Sequence, residues 1–285
     1  MLYSRRVAGW LLAAAAALSG AAASVPSGAA ASEEVDWACD PLVPESCMLP
    51  FPNDFWRVVE DGRPHLNISL TTFPVDKDGK PIDAQKGGWN DLAGFSPFQA
   101  MHAYFPGTDD VSIEGCARWW NIDLSLTEES PTVLLDTVTG ERVAHWVEID
   151  YTSVRAEEAQ GMHAGVEVEV ELEDEHTNRH KHVLMIWPAT KLEHDRRYIV
   201  AIKHLPSRNG GSLPTSLAFR TLRDRLPSKD PRVTSRRAHF EEIFASLEKL
   251  GVKRDELLLT WDFTTNTREN VVSRMLSARD DARAR

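Results

Sequence analysis

Val166, Val168, Val170 and Leu172 alternate with Glu167, Glu169, Glu171 and Glu173. A period of two over that length predicts a strand with one buried face and one acidic, solvated face. Residues 132–136 and 142–149 flank Thr139 and Gly140 and predict a hairpin. Residues 182–187, 197–204, 217–221 and 257–264 are further β-rich runs, with Pro188 and the 207–212 segment around Asn209, Gly210 and Gly211 supplying bends. Helical spacing enters late. Phe240, Ile243, Phe244, Leu247 and Leu250 recur at intervals of three and four, and Gly251 stands where a helix would end. Residues 235–250 therefore predict an amphipathic helix lying on a sheet. A second helix is expected from about Thr267 through Val271, Met275 and Leu276. It carries no stop signal, so a chain ending on Arg283, Ala284 and Arg285 reads as cut from something longer.

Short strands at regular spacing, hairpins and Gly/Pro-rich turns point to a mainly β fold, an antiparallel β-sandwich, over a βαβ layout. Residues 38–222 would form the sandwich. Residues 223–285 would form a helical flank with one strand returned to a sheet, leading into a downstream domain.

Composition adds the compartment. Arg5 and Arg6 precede an apolar run from Val7 to Leu18, and small residues follow with Ala-x-Ala sites ending at Ala23 or Ala31. That is the layout of a signal peptide over residues 1–31, with a core too short for a bilayer span of about 20 residues. No later stretch approaches span length, so the mature chain is expected to be soluble and secreted, extracellular or periplasmic. The formal charge is −11 and the leader contributes only positive charge. Such an acidic chain repels phosphate backbones, which excludes nucleic acid as a partner. Cys39 and Cys47 are eight positions apart and can close a bridge in an oxidising compartment, leaving Cys116 buried and free or bonded outside the chain. Asn67, Ile68 and Ser69 form an N-glycosylation acceptor.

Three stretches carry a resemblance. The Leu-Pro-Phe-Pro-Asn-Asp-Phe run at 49–55, a strand at 66–70, and Asp91 followed by Gly94, Phe95 and Ser96 look like the start of the N-terminal domain of bacterial extracellular lipases of the virulence-factor type. Ile186, Pro188, Leu192, Tyr198, Val200, the Gly210 turn and Phe219-Arg220-Thr221 are similar to the closing half of bacterial immunoglobulin-like modules. Trp261-Asp262-Phe263-Thr264-Thr265 resembles the final strand of the same region. The likeness implies an immunoglobulin-like sandwich with two C-terminal flanking helices, placed ahead of an α/β-hydrolase domain that holds the nucleophile.

Such a hydrolase needs Gly-x-Ser-x-Gly, because the serine must sit on a strained elbow beside an oxyanion hole. The pentapeptide does not occur between Met1 and Arg285. Ser96 is the nearest echo, but Pro97 after it has no amide to serve as an oxyanion donor. His176, His180 and His182, beside Glu173, Asp174 and Glu175, are candidate metal ligands. The same run also reads as a solvated hairpin loop. Asp76, Asp78, Gly79 and Asp83 resemble part of a calcium loop without its twelfth-position glutamate, which falls on Gly87. A tight Asp-Gly turn explains that stretch without an ion. Of nine tryptophans, Trp119 and Trp120 would point to opposite sides if that stretch is extended, and Trp146, Trp187 and Trp261 read as core. His102, His145 and His204 read as ordinary structural residues.

The expected function is a non-catalytic N-terminal accessory module of a secreted lipase- or esterase-like protein. It would need no cofactor and would partner a hydrolase domain downstream or on another chain. The alternative is a stand-alone module that binds a surface glycan or lipid through its tryptophans, with calcium as the one candidate ion.

Overall fold

A computed structural model describes residues 37–44, 46–69, 72, 80, 88–105, 111–150, 183–207 and 211–284. The leader, the alternating strand at 166–172 and residues 208–210 of the 207–212 turn lie outside the described residues. Within them the chain is mainly β, in three antiparallel sheets. Strands β1 (Arg57–Glu60) and β2 (Arg63–Leu66) form a hairpin. Strands β3 (Met101–Ala103), β5 (His145–Asp150) and β6 (Val183–Pro188) form a sheet in the order β3-β6-β5. Strands β4 (Thr132–Asp136), β7 (Arg197–Ile202) and β8 (Leu259–Thr264) form the third, in the order β4-β7-β8.

The 132–149 stretch is where sequence and structure part. Arg142 bridges Leu135 and the Val143 amide reaches the Leu134 carbonyl at 2.7 Å, so a hairpin begins as expected. The chain then leaves it. β4 pairs with β7 and β5 pairs with β6 in a different sheet. His145 pins the crossing: its amide donates to Ser125 Oγ at 3.0 Å and its ring lies between Thr132 Oγ1 and the Val143 carbonyl, both at 2.8 Å. Because a carbonyl can only accept, Nδ1 carries the proton and Nε2 accepts from Thr132. Burial holds the ring's pKa down at about 4, so it sits there neutral.

Every residue of β4 and β8 is buried, and all of β7 except Arg197. Burial on both faces explains the near-continuous apolar run of β7, while β8 alternates Leu259, Trp261 and Phe263 with Thr260, Asp262 and Thr264, polar residues that are buried as well. One cover is helix α3 (Arg237–Glu248), which lies against β8 and buries Phe240, Ile243, Phe244 and Leu247. This is the apolar stripe expected from the spacing, two residues shorter at each end, and Gly251 follows it with φ at 79°. The short helix α2 (Pro231–Thr234), capped by the Asp230 side chain on the Arg232 amide, precedes it. Helix α4 (Arg268–Ala284) starts where expected, with Thr267 Oγ1 accepting the Asn270 amide.

Residues 217–221, expected as a strand, belong instead to helix α1 (Leu217–Arg223). Ser216 caps it by accepting the Phe219 amide at 3.2 Å, and Phe219 and Leu222 fall three apart on the face it buries. The Phe219 ring packs at 6.4 Å from Phe240 and 6.3 Å from Phe244 of α3. The strand expected at 66–70 is also corrected, since β2 ends at Leu66. Beyond it the Asn90 side chain takes both the amide and the carbonyl of Ile68, at 3.1 Å each, in place of a strand partner.

Candidate functional site

A cavity of about 590 Å³ opens where the turn Asp54–Trp56, strand β8 and the start of α3 converge. Asp54, Phe55, Ser235, Arg236, His239 and Asp262 line it. The turn is set from the N-terminal side. Asn53 Oδ1 accepts the Phe55 amide at 2.9 Å and its Nδ2 donates to buried Asp40 at 2.6 Å. Asp40 also accepts from the Leu42 amide and from Arg236, each at 2.9 Å. Arg236 in turn lies 5.1 Å over the Phe55 ring and 5.0 Å over Phe240. The peptide bonds before Pro50 and Pro52 are cis, and the Pro52 carbonyl accepts the indole proton of buried Trp261 at 2.8 Å.

Two carboxylates with opposite tendencies occupy the floor. Asp54 accepts the Thr264 amide at 2.8 Å and the Thr264 hydroxyl at 2.6 Å. Burial, and then the charge of Asp262, raise its pKa to about 6. Asp262 is 1% exposed, and burial alone would lift it too. The hydrogen bond and charge of His239 and the charge of Arg197 outweigh burial and hold it below the usual carboxylate range. His239 donates to one oxygen at 2.8 Å and Arg197 to the other at 2.5 Å. Neighbouring carboxyls driven apart in this way can divide acid and base roles. Here the oxygens of both already accept internal donors. Ser235 lies four residues before His239 and also faces the cavity, but its hydroxyl makes no hydrogen bond to His239 among the described residues.

Cys39 and Cys47 are disulfide-bonded, with their Cα atoms 4.2 Å apart. The bridge closes the loop that presents Asp40. Cys116 is buried and unbonded, and burial pushes its thiol up to about 12 against the charge of Arg118. Asn67 is exposed on the rim of the cavity. Ser96 is exposed and its Oγ accepts the Phe98 amide at 3.2 Å. His176, His180, His182, Asp76, Asp78 and Asp83 lie outside the described residues. Among the described residues, no group of three or more His, Cys, Asp or Glu side chains could hold a metal ion.

The tryptophan expectations divide. Trp261 is core, but Trp146 and Trp187 are half-buried, stacked on each other across β5 and β6 at 6.1 Å. Trp119 and Trp120 do not point to opposite sides. Asn121 closes a turn on Arg118, its amide reaching the Arg118 carbonyl at 3.0 Å and its Oδ1 accepting the Arg118 amide at 2.6 Å, and both indoles face solvent.

Sequence reasoning did not assign Asp54, Asp262, His239 or Arg197 to a site. One signal was available: an aspartate at 262 between Trp261 and Phe263 in a β-rich run, which a buried strand tolerates only with partners. The 49–55 and 261–265 stretches, two of those singled out in the sequence, meet here. No protein-family model, curated protein or solved structure matches the chain.

Proposed function

We propose that this chain is the accessory module of an exported ester-hydrolase-like protein, an immunoglobulin-like sandwich that seats a catalytic neighbour. The observation that carries this is α4. None of its residues is buried, and Val271, Met275 and Leu276 are 49%, 68% and 40% exposed. A helix in water draws most of its stability from burying an apolar face against a neighbour. α4 is held near its start by the Asn270 side chain on the Asp91 carbonyl and by Arg274 on the Asp91 carboxylate. A partner domain laid along Val271 and Met275 would supply the missing cover. The three crossings between sheets, from β3 to β4, from β4 to β5 and from β6 to β7, are of the kind a sandwich needs. The Cys39–Cys47 bridge fits an oxidising compartment outside the cytoplasm.

A second reading rests on one feature, the presence of Ser235, His239 and Asp262 around a single cavity. Ester hydrolysis separates the two. On p-nitrophenyl esters of short and long acyl chains, the purified chain is expected to show no turnover above buffer. Turnover that survives Ser96→Ala but is lost in Ser235→Ala and His239→Ala would move the chemistry into this cavity. The genomic reading frame past Arg285 is expected to continue into a domain with a nucleophile elbow, and a stop codon there would count against the accessory role.

A further inference from the structure

Two tryptophan pairs, Trp119–Trp120 and Trp146–Trp187, lie on one sheet and on the loop bonded to its edge strand. β5 is an edge strand of β3-β6-β5, and its Val147 amide donates to the Ala117 carbonyl at 2.8 Å. The segment that leads into Trp119 and Trp120 is therefore bonded to the outer edge of the strand that bears Trp146. Trp146 faces Trp187 across β6, the two rings 13° from parallel. Trp119 and Trp120 are 64% and 62% exposed, with ring centroids 5.3 Å apart and planes at 88°. The Arg118 guanidinium covers one face of Trp120 at 5.1 Å. The Trp187 indole nitrogen is shielded from solvent and has no hydrogen-bond partner.

Indoles left in water forgo the stabilisation that burial would give, and this pair is held in place before any ligand arrives. We propose that Trp119 and Trp120 form a binding platform for a neutral polysaccharide. The axial C–H faces of a pyranose carry partial positive charge and lie flat on an indole face, where the ring quadrupole is negative. Two indoles at a right angle cradle successive sugar rings of a twisted chain. Aromatic side chains with few rotatable bonds lose little entropy in the process, and the Arg118 contact on Trp120 reduces that loss further.

The charge of the surroundings selects the ligand. Arg118, Asn121 and Asp123, the neighbours of the indoles along the chain, are one positive, one neutral and one negative side chain, and the whole chain carries −11. A polyanion or an anionic membrane finds no basic field there. An uncharged glycan needs none. This platform is independent of α4 and of the accessory role, and it would serve to hold the protein against a polymer surface.

The test is binding of the intact purified chain to insoluble cellulose, chitin, xylan and β-1,3-glucan, with titration of the matching hexasaccharide. Binding to at least one polymer is expected, unchanged by 0.5 M sodium chloride. Trp119→Ala and Trp120→Ala are each expected to weaken it ten-fold or more while leaving the unfolding temperature within a few degrees of the parent. Val138→Ala, an exposed apolar change on a different loop, should leave it intact. Absence of binding to all four polymers, or binding indifferent to both tryptophan variants, would overturn the proposal. So would tryptophan-dependent binding to phosphatidylcholine vesicles in place of the glycans.

Discussion

Asp54 holds Thr264 by two hydrogen bonds, one from the amide at 2.8 Å and one from the hydroxyl at 2.6 Å, across 210 positions of sequence. The contact joins the N-terminal turn to the last strand, and it places a carboxylate beside the negative charge of Asp262. Asp54→Asn preserves the geometry, since the amide oxygen can accept from the Thr264 amide and the amide nitrogen can donate to its hydroxyl. It also removes the unfavourable charge. At pH 7 this variant is expected to match or exceed the parent in chemical denaturation. Asp54→Ala, which leaves a buried amide unpaired, should lose about 1–3 kcal/mol.

His145 and Asp54 oppose each other in pH dependence. The folded pKa of Asp54, about 6, lies above its usual 3.8. The native state therefore binds more protons between these values, and stability falls as pH rises through them. The folded pKa of His145, about 4, lies below its usual 6.5. There the unfolded state binds more protons, and stability falls as pH drops from 6.5 to 4. Each contribution is on the order of 2–3 kcal/mol, and in the parent they partly cancel. Unfolding temperature followed from pH 4 to 7 should rise more steeply in Asp54→Asn than in the parent. In His145→Gln it should instead decline with pH relative to the parent.

The N-terminal loop is held by a charge and by a covalent bond, and the two differ in weight. Asp40 is 0% exposed and answers Arg236, Asn53 and the Leu42 amide. Removing it leaves Arg236 nearly buried without its counter-ion, at an expected cost of about 3–5 kcal/mol. Replacing both Cys39 and Cys47 by serine removes a short loop closure worth about 2–3 kcal/mol. Urea midpoints of Asp40→Ala and of the double serine variant should fall in that order, the aspartate variant lower.

Gly94 packs against backbone. A Cβ there would lie 2.5 Å from the Thr264 carbonyl oxygen and 2.9 Å from that of Thr265, where the Phe95 amide bonds to Thr264. Gly140 has φ at 73° with open space around it. Gly140→Ala should cost about 1 kcal/mol through backbone strain alone. Gly94→Ala should cost more, about 1–3 kcal/mol, by pushing β8 away from the 94–95 segment. Thermal unfolding of the two variants side by side checks the ranking.

Much of the secondary structure was legible. The apolar stripe of α3, the start of α4, the strands at 183–188, 197–202 and 259–264 and the Cys39–Cys47 bridge all follow from spacing and residue type. The site was not legible, because Asp54, Arg197, His239 and Asp262 sit in four separate segments and none forms a local motif. The mistake over Leu217–Arg223 was local: Phe219 and Thr221 suggest a strand, while the deciding residues were the Ser216 cap and the α3 surface waiting for Phe219.

By itself, then, the sequence determined where strands and helices could form, since the periods of two and of three to four are set by backbone geometry. It also determined the acidic charge and the disulfide loop. Tertiary structure alone decided that β4 joins β7 and not β5, that both Trp119 and Trp120 face solvent, and that Asp54 meets Thr264 and Asp262. Such outcomes depend on contacts between distant segments, where burial and partner geometry outweigh local preference. A residue's neighbours along the chain carry no record of them.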